Sequence, residues 1–137
     1  MTLPSHEIEV VPSFYDVDPM WVVWHGHYVR YLELARSALM TRLGYDYEEM
    51  AASGYAWPIV DLRLKYVKSA RLKVPLKVRV EVIEYENRLK MEYVISDAAT
   101  GEKVTTGFTI QVAVDVKTGE MQYVTPQVLW KALGVTP

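Results

Sequence analysis

Two periodicities divide the chain. Between Gly26 and Leu43 the apolar side chains Tyr28, Tyr31, Leu32, Ala35, Leu39 and Leu43 recur at steps of three and four, with Arg30, Glu33, Arg36 and Arg42 mostly on other faces. That spacing predicts one amphipathic helix. At 1.5 Å per residue it would span roughly 27 Å. Gly44 is the expected stop, and Asp46 with Glu49 three residues later predicts a second, short helix ending at Gly54. Beyond it the period falls to two. Leu62, Leu64 and Tyr66 oppose Asp61, Arg63 and Lys65; Val78, Val80 and Val82 oppose Lys77, Arg79 and Glu81; Leu89, Met91, Tyr93 and Ile95 oppose Lys90, Glu92 and Ser96. A last and longest strand is expected over 104–114. Val104, Thr106, Phe108, Ile110, Val112 and Val114 would form one face, and Thr105, Gly107, Thr109, Gln111 and Ala113 the other.

Short turn-rich segments join these strands, which predicts an antiparallel meander with one buried and one more polar face. Residues 6–17 read as a further strand at the front, ending at Asp18-Pro19 because proline confines the preceding residue to extended backbone. Thr125 as N-cap, Pro126 at the first helical position and Gly134 as stop predict a terminal helix. The sum is an α+β chain, a single domain over 1–137: strand, long helix, then four or five antiparallel strands. One helix covers only one face of such a sheet, so another subunit is expected to close what remains.

Composition narrows the chemistry. Of 137 residues half are apolar, 15 are basic against 17 acidic for a formal charge of -2, and none is cysteine. A core of this size needs no disulfide or structural metal, and thiol nucleophiles and Cys-ligated zinc are excluded. No basic and apolar leader is visible and no run approaches ~18 apolar residues, so a cytoplasmic protein without a membrane partner is expected. The charge is unevenly placed. From Leu62 to Val80 the chain carries Arg63, Lys65, Lys68, Arg71, Lys73, Lys77 and Arg79 with no acid, leaving the remainder strongly acidic. Such a stretch is either a solvated strand face or a contact for a phosphorylated ligand. With a pI near 5.9 and no RNA-binding aromatic signature, nucleic acid is not the expected partner.

The densest group of reactive side chains runs from Asp16 to Tyr28, at a loop-to-helix junction. Unpaired backbone N–H groups and the positive end of the helix dipole suit a developing oxyanion, and a carboxylate just before them can attack a carbonyl or activate water. Asp16 and Asp18 share a face if the segment is extended, so one of them is expected in the site. His25 and His27 begin a helix, where residues two apart diverge, so no metal is expected. Glu33 and Arg36, three apart, read as an ion pair, with Glu33 a minor alternative base.

The run Asp16-x-Asp18-Pro19, Val22-Val23-Trp24-His25-x-x-Tyr28 and Tyr31-Leu32-Glu33-Leu34-Ala35-Arg36 resembles the hotdog-fold acyl-CoA thioesterases of the 4-hydroxybenzoyl-CoA type, whose pattern is roughly D-x-D-x-x-G-[VI]-V-[YW]-[HY]-x-x-Y and then [FY]-x-E-x-A-R. Pro58-Ile59-Val60, Lys65-Tyr66 with Ala70-Arg71, and Val112-x-Val114-Asp115 before Thr118-Gly119 extend the resemblance over about residues 7–126. It implies a hotdog fold of five or six strands around the long helix and hydrolysis of an acyl-CoA to free acid and CoA, with no cofactor. Asp18 falls on the family's catalytic carboxylate, as nucleophile or general base. His25 falls where a backbone N–H polarises the thioester carbonyl, and Tyr28 on a residue packing near the acyl pocket. The resemblance further implies a homodimer with shared sites, often a tetramer, in which Asp18 faces the Trp57-to-Val60 segment of the other copy. Lys65, Lys68, Arg71, Arg88 and Lys90 form the pool for the CoA phosphates.

One departure stands out: Met20-Trp21 replaces small residues after the catalytic Asp, so Trp21 is expected to cap or partly fill the pocket. Two rival readings follow. A non-catalytic hotdog module would bind CoA or an acyl carrier without turnover, and a dehydratase or isomerase would need a His and an acid facing across the dimer.

Overall fold

The computed structural model describes residues 2–136. Strand β1 (Ser5–Val10) leads through a short 3-10 turn (Phe14–Asp16) to α1 (Gly26–Leu43) and α2 (Tyr47–Ser53). β2 (Tyr55–Ala56), β3 (Ile59–Tyr66), β4 (Leu76–Glu84), β5 (Leu89–Asp97), β6 (Lys103–Gln111), β7 (Val114–Asp115) and α3 (Gln127–Leu133) follow. Five strands form one antiparallel sheet in the order β1-β4-β5-β6-β3, and β2 pairs with β7. The helix lies against one sheet face, which is the hotdog arrangement.

The helical stripe follows its spacing except at its end, where Met40 is buried and Leu43 only half-buried. Tyr28, Tyr31, Leu32, Ala35, Leu39 and Met40 are buried against Val78, Val80 and Val82 of β4 and Leu89, Met91, Tyr93 and Ile95 of β5, each large side chain contributing about 2 kcal/mol by leaving water. Gly44 ends α1 in the left-handed region at φ 75°, where a Cβ would be strained. Asp46 and Glu49 form the expected capping box of α2.

Three boundaries differ from the sequence reading. The first strand ends at Val10 rather than 17, because Pro12 lacks an N–H and the Asp16 carboxylate accepts the Ser13 N–H at 2.9 Å to close the 3-10 turn. The strand expected over 104–114 stops at Gln111 and is no longer than its two predecessors. Its register sets Thr105, Gly107 and Thr109 opposite Ile95, Tyr93 and Met91, so the more polar set faces the core. The Tyr93 hydroxyl and Thr109 Oγ1 hydrogen-bond at 2.8 Å there, which removes the cost of burying either. Glycine is required at 107, since a Cβ would lie 2.4 Å from the Arg63 carbonyl oxygen on β3. Finally, Pro126 is the N-cap of α3. Thr125 instead donates to the Tyr85 carbonyl and accepts from Trp130 Nε1 at 2.7 Å, tying α3 to the β4–β5 turn.

The β3 edge is unpaired within the protomer, with Val60, Tyr66 and Val67 exposed. Among the described residues no helix is long and apolar enough to cross a membrane.

Candidate active site

Asp16 and Asp18 part company because the chain between β1 and α1 is a turn, not a strand. Asp16 is buried, its carboxylate accepts from Ser13 N and Arg30, and its carbonyl accepts from Trp24 N at 3.0 Å. It anchors the loop to the helix. Asp18 is half-buried and faces a cleft. Its Oδ1 accepts the Met20 N–H at 2.8 Å, its N–H donates to the Val22 carbonyl and its carbonyl accepts from Trp21 N, both at 2.9 Å. The backbone is thus held on both sides, while Oδ2 makes no hydrogen bond among the described residues.

The helix start lies beside it. His25 is the N-cap of α1 and its side chain caps nothing. His27 and Tyr28 donate to the Trp24 and His25 carbonyls, whereas the N–H groups of His25 and Gly26 find no backbone acceptor among the described residues. These are the unsatisfied donors that the first turn of any helix leaves. The half-exposed Trp24 ring folds over this turn, so close to Gly26 that a Cβ there would push the indole aside.

Asp18, Val22, Val23, His25, Tyr28, Tyr66, Val67, Lys68 and Ser69 line a cleft of about 340 Å³. The Tyr28 hydroxyl accepts from Ala70 N at 3.0 Å and its ring meets Tyr66 edge-on at 5.1 Å. Burial pushes the Tyr28 pKa up, the Ala70 N–H pulls the other way, and the neighbouring Tyr66 and Asp18 raise it further, so the phenol keeps its proton.

Of the residues read from sequence, the fold brings Asp18, His25, Tyr28 and Lys68 together. Lys68 is also within 3.1 Å of Glu102, with both side chains half-exposed, a pairing worth at most about 1 kcal/mol and easily exchanged. Arg71 lies close by through the Val22–Arg71 bridge. The remaining cations are elsewhere in the protomer. Lys65 lies on the outer sheet face with Arg63, Arg79, Glu81 and Glu92, Lys90 over the Phe108 ring at 4.7 Å, and Arg88 against Glu84 at 2.6 Å. The acid-free stretch is therefore not one patch: Lys77 meets Glu7 of β1 and Arg79 meets Glu81 just beyond the stretch on the same strand.

Trp57 is buried away from the Asp18 cleft and donates from Nε1 to the Tyr45 hydroxyl at 3.0 Å. Trp21 neither caps nor fills the cleft. It is 57% exposed, inclines toward Phe14, and takes the left-handed φ of 65°, the conformation for which the family's small residues are suited. Val67 and Ser69 were missed, since the turn after a strand carries no periodic signal, and Tyr66 was read only as part of the strand. Also missed was a second cavity of about 570 Å³ at the other end of β3, where α1, α2, Trp57, Ile59 and Gln111 meet.

Comparison with known proteins places these features. Residues 12–132 match the model of a family described as thioesterase-like superfamily. The chain is 32% identical over 128 residues, 93% of its length and 77% of the relative's, to a Synechocystis sp. protein assigned as esterase sll0410. It is similar to the DHNA-CoA thioesterase of Staphylococcus aureus, at 29% identity and TM-score 0.78 over 87% of this chain and 80% of that one. The fold alone is shared with Staphylococcus aureus SAV2348, solved in complex with CoA, at 12% identity and TM-score 0.86 over 98% of this chain and 84% of that one.

Proposed function

Because the chain belongs to the thioesterase-like superfamily, we propose that it hydrolyses acyl-CoA thioesters, with Asp18 as general base or nucleophile and the His25 amide as oxyanion donor. The observation that carries this reading is the juxtaposition, in one cleft, of a held carboxylate with a free oxygen and a helix start with unmet N–H groups. Asp18 attacks the thioester carbon directly, giving an acyl–aspartyl anhydride that water then cleaves to restore the carboxylate, or it draws a proton from a water that attacks the carbon itself. Negative charge then gathers on the carbonyl oxygen, where the amide and helix dipole stabilise it; such a donor is worth about 10²–10³-fold. The C–S bond breaks and CoA leaves as thiol, taking one proton from water, the other water atoms ending on the free acid. Neutral Tyr28 packs beside the acyl carbon.

The unpaired β3 edge supports a homodimer made by antiparallel pairing of β3 with its copy, itself free to pair into a tetramer. A two-fold of that kind brings the Tyr66 end of one strand, which lines the Asp18 cleft, beside the Ile59 end of the other. The Trp57-to-Val60 segment of the second copy would close the cleft. Its Arg88 and Lys90, at the Ile59 end of the sheet, would approach Lys65, Lys68 and Arg71 to hold the CoA phosphates. A CoA substrate fits a cytoplasmic location.

The test is thiol release from a panel of acyl-CoAs by wild type, Asp18→Ala and Asp18→Asn. Turnover that both variants lose supports the reading, and full activity in either removes Asp18 from the mechanism. CoA binding by calorimetry with no turnover of any thioester would instead identify a non-catalytic module.

A further inference from the structure

Segment 16–24 is a short hairpin that carries Asp18 on its first arm and enters the helix at His25 from its second. Val17 and Val23 bridge the arms, Asp18 N donates to the Val22 carbonyl and Trp24 N donates to the Asp16 carbonyl. The loop is a tight turn over 18–21, closed by Trp21 N on the Asp18 carbonyl, with Trp21 left-handed at φ 65°. This is the turn-and-bulge loop in which glycine is at ease and a side chain is strained. A hairpin this short is marginal on its own, so the place of the Asp18 carboxylate depends on what anchors each arm.

The two arms are anchored separately. The second is tied to the connection between β3 and β4: Val23 N donates to the Ala70 carbonyl at 2.8 Å and Val22 bridges to Arg71. Ala70 N in turn donates to the Tyr28 hydroxyl of α1 at 3.0 Å. The Asp18 arm has no such tie. Among the described residues its polar links beyond the hairpin all pass through Asp16, whose N–H donates to the Ser13 carbonyl and whose buried carboxylate accepts from Ser13 N and from Arg30. The Ser13 bonds close a local turn, so Arg30 alone reaches this arm from the helix. Its guanidinium rests over the Tyr31 ring at 5.2 Å. Burial first, and Asp16 second, push the Tyr31 pKa up, so that phenol stays neutral. Arg30 is thus the one cation paired with Asp16 among the described residues.

We infer that Arg30 is a positioning residue for the proposed hydrolysis: by holding Asp16 it fixes the Asp18 arm against α1, and so sets the carboxylate relative to the His25 amide. The inference rests on Asp18 and that amide being the reacting groups. Arg30 is not among the residues lining the cleft, and its effect reaches the site through the main chain of Asp16 and Val17. A displacement of about 1 Å at a reacting group can cost about 10²-fold in rate. The walls that would bind substrate belong to the other arm and to the Ala70 connection, so the loss belongs in kcat and not in binding. The contact uses one guanidinium nitrogen, Nη2, a role that a point charge on a long stem can also fill.

Two measurements on Arg30→Met and Arg30→Lys, made well below their melting temperatures, test this. Amide exchange followed by NMR reads the anchor without turnover. In Arg30→Met the Asp18 and Trp24 N–H groups, which join the arms, should exchange about tenfold faster or more, while Val23 N–H, held by Ala70, keeps its wild-type rate. Equal acceleration of all three, or none, overturns the inference. Thiol release from the acyl-CoA that the wild type turns over fastest reads the consequence. In Arg30→Met kcat should fall about tenfold or more, and in Arg30→Lys it should return to within about threefold of wild type. Binding of the S-alkyl-CoA thioether of matching length, read by calorimetry, should stay within about twofold in both. An unchanged kcat, a loss that appears only in binding, or a loss that lysine does not restore overturns the positioning role. Should Arg30→Met fail to fold, Asp16→Asn, which keeps an acceptor for Ser13 N but no charge for Arg30, takes its place with the same expected losses. A wild type that cleaves no thioester contradicts the proposed function, whereas the exchange pattern still decides whether Arg30 holds the arm.

Discussion

The two ends of β3 are built on opposite principles. At the Tyr66 end, the Asp18 cleft is shallow and made from a turn and a helix start; its reactive groups are free because backbone geometry leaves them so. At the Ile59 end, the cavity is walled by side chains from α1, α2 and β6, and its free groups are buried in hydrocarbon. Chemistry needs access to water and a carboxylate able to move charge, whereas recognition needs a dry wall where one missed hydrogen bond matters. The eight residues of β3 separate the two ends within one chain. In the proposed dimer, an antiparallel two-fold on β3 would join the cleft of one copy to the cavity of the other.

Substitutions at each end should separate these roles. The largest effect is expected from Asp18→Asn, which keeps the turn-forming oxygen but removes the base or nucleophile: kcat should fall by about 10²–10⁴-fold with the melting temperature little changed. Val60→Lys places a charge on the free β3 edge, where Val60 is 58% exposed. The protein should sediment as a folded monomer and lose at least tenfold in kcat/KM, whereas an active monomer would uncouple the two ends. Arg30→Met strips the partner from buried Asp16; because Arg30 is itself partly exposed, the cost should be about 2 kcal/mol in denaturant unfolding.

Asp46 sharpens the other end. Burial pushes its pKa up, but the Thr41 and Ser37 hydroxyls and the Tyr47 N–H outweigh that and hold it below the ordinary carboxylate value. A carboxylate depressed in the folded state contributes stability above its unfolded pKa and loses it as pH falls through the folded one. Asp46→Ala should therefore cost about 1 kcal/mol at neutral pH and flatten the acid limb of the stability profile below about pH 4. The smallest effect is expected at Trp21. Release of the left-handed strain, about 1–2 kcal/mol for a residue with a Cβ, should offset the lost contact with Phe14, leaving Trp21→Gly within about 1 kcal/mol of wild type.

What could be read in the sequence follows from which forces are local. The bounds of α1 and α2 were legible because stripe, caps and left-handed glycines are set within a few residues of one another. The core face of β6 was not. Phe108 looks like core, yet Thr105, Gly107 and Thr109 share the core face because pairing with Met91, Tyr93 and Ile95 fixes it. At the site, residue spacing alone could not separate Asp16 from Asp18, and only the family resemblance pointed to Asp18. The separation depends on Arg30, fourteen residues away, claiming the first. How the basic stretch is divided was equally hidden, since Lys77 meets Glu7 of neighbouring β1 and Lys68 meets Glu102, far away in sequence. Arg36 read as half of an ion pair, and its second nitrogen is vacant only because the fold buries it.

The most direct measurement is complementation in mixed dimers. Asp18→Asn and Arg36→Met chains are unfolded together, refolded and assayed for thiol release from the acyl-CoA that the wild type turns over fastest. If the cleft of one copy works with the cavity of the other, random pairing restores an intact site in half of the dimers and recovers about a quarter of wild-type activity. If activity never exceeds the average of the two variants alone, each protomer works by itself and the shared site is contradicted.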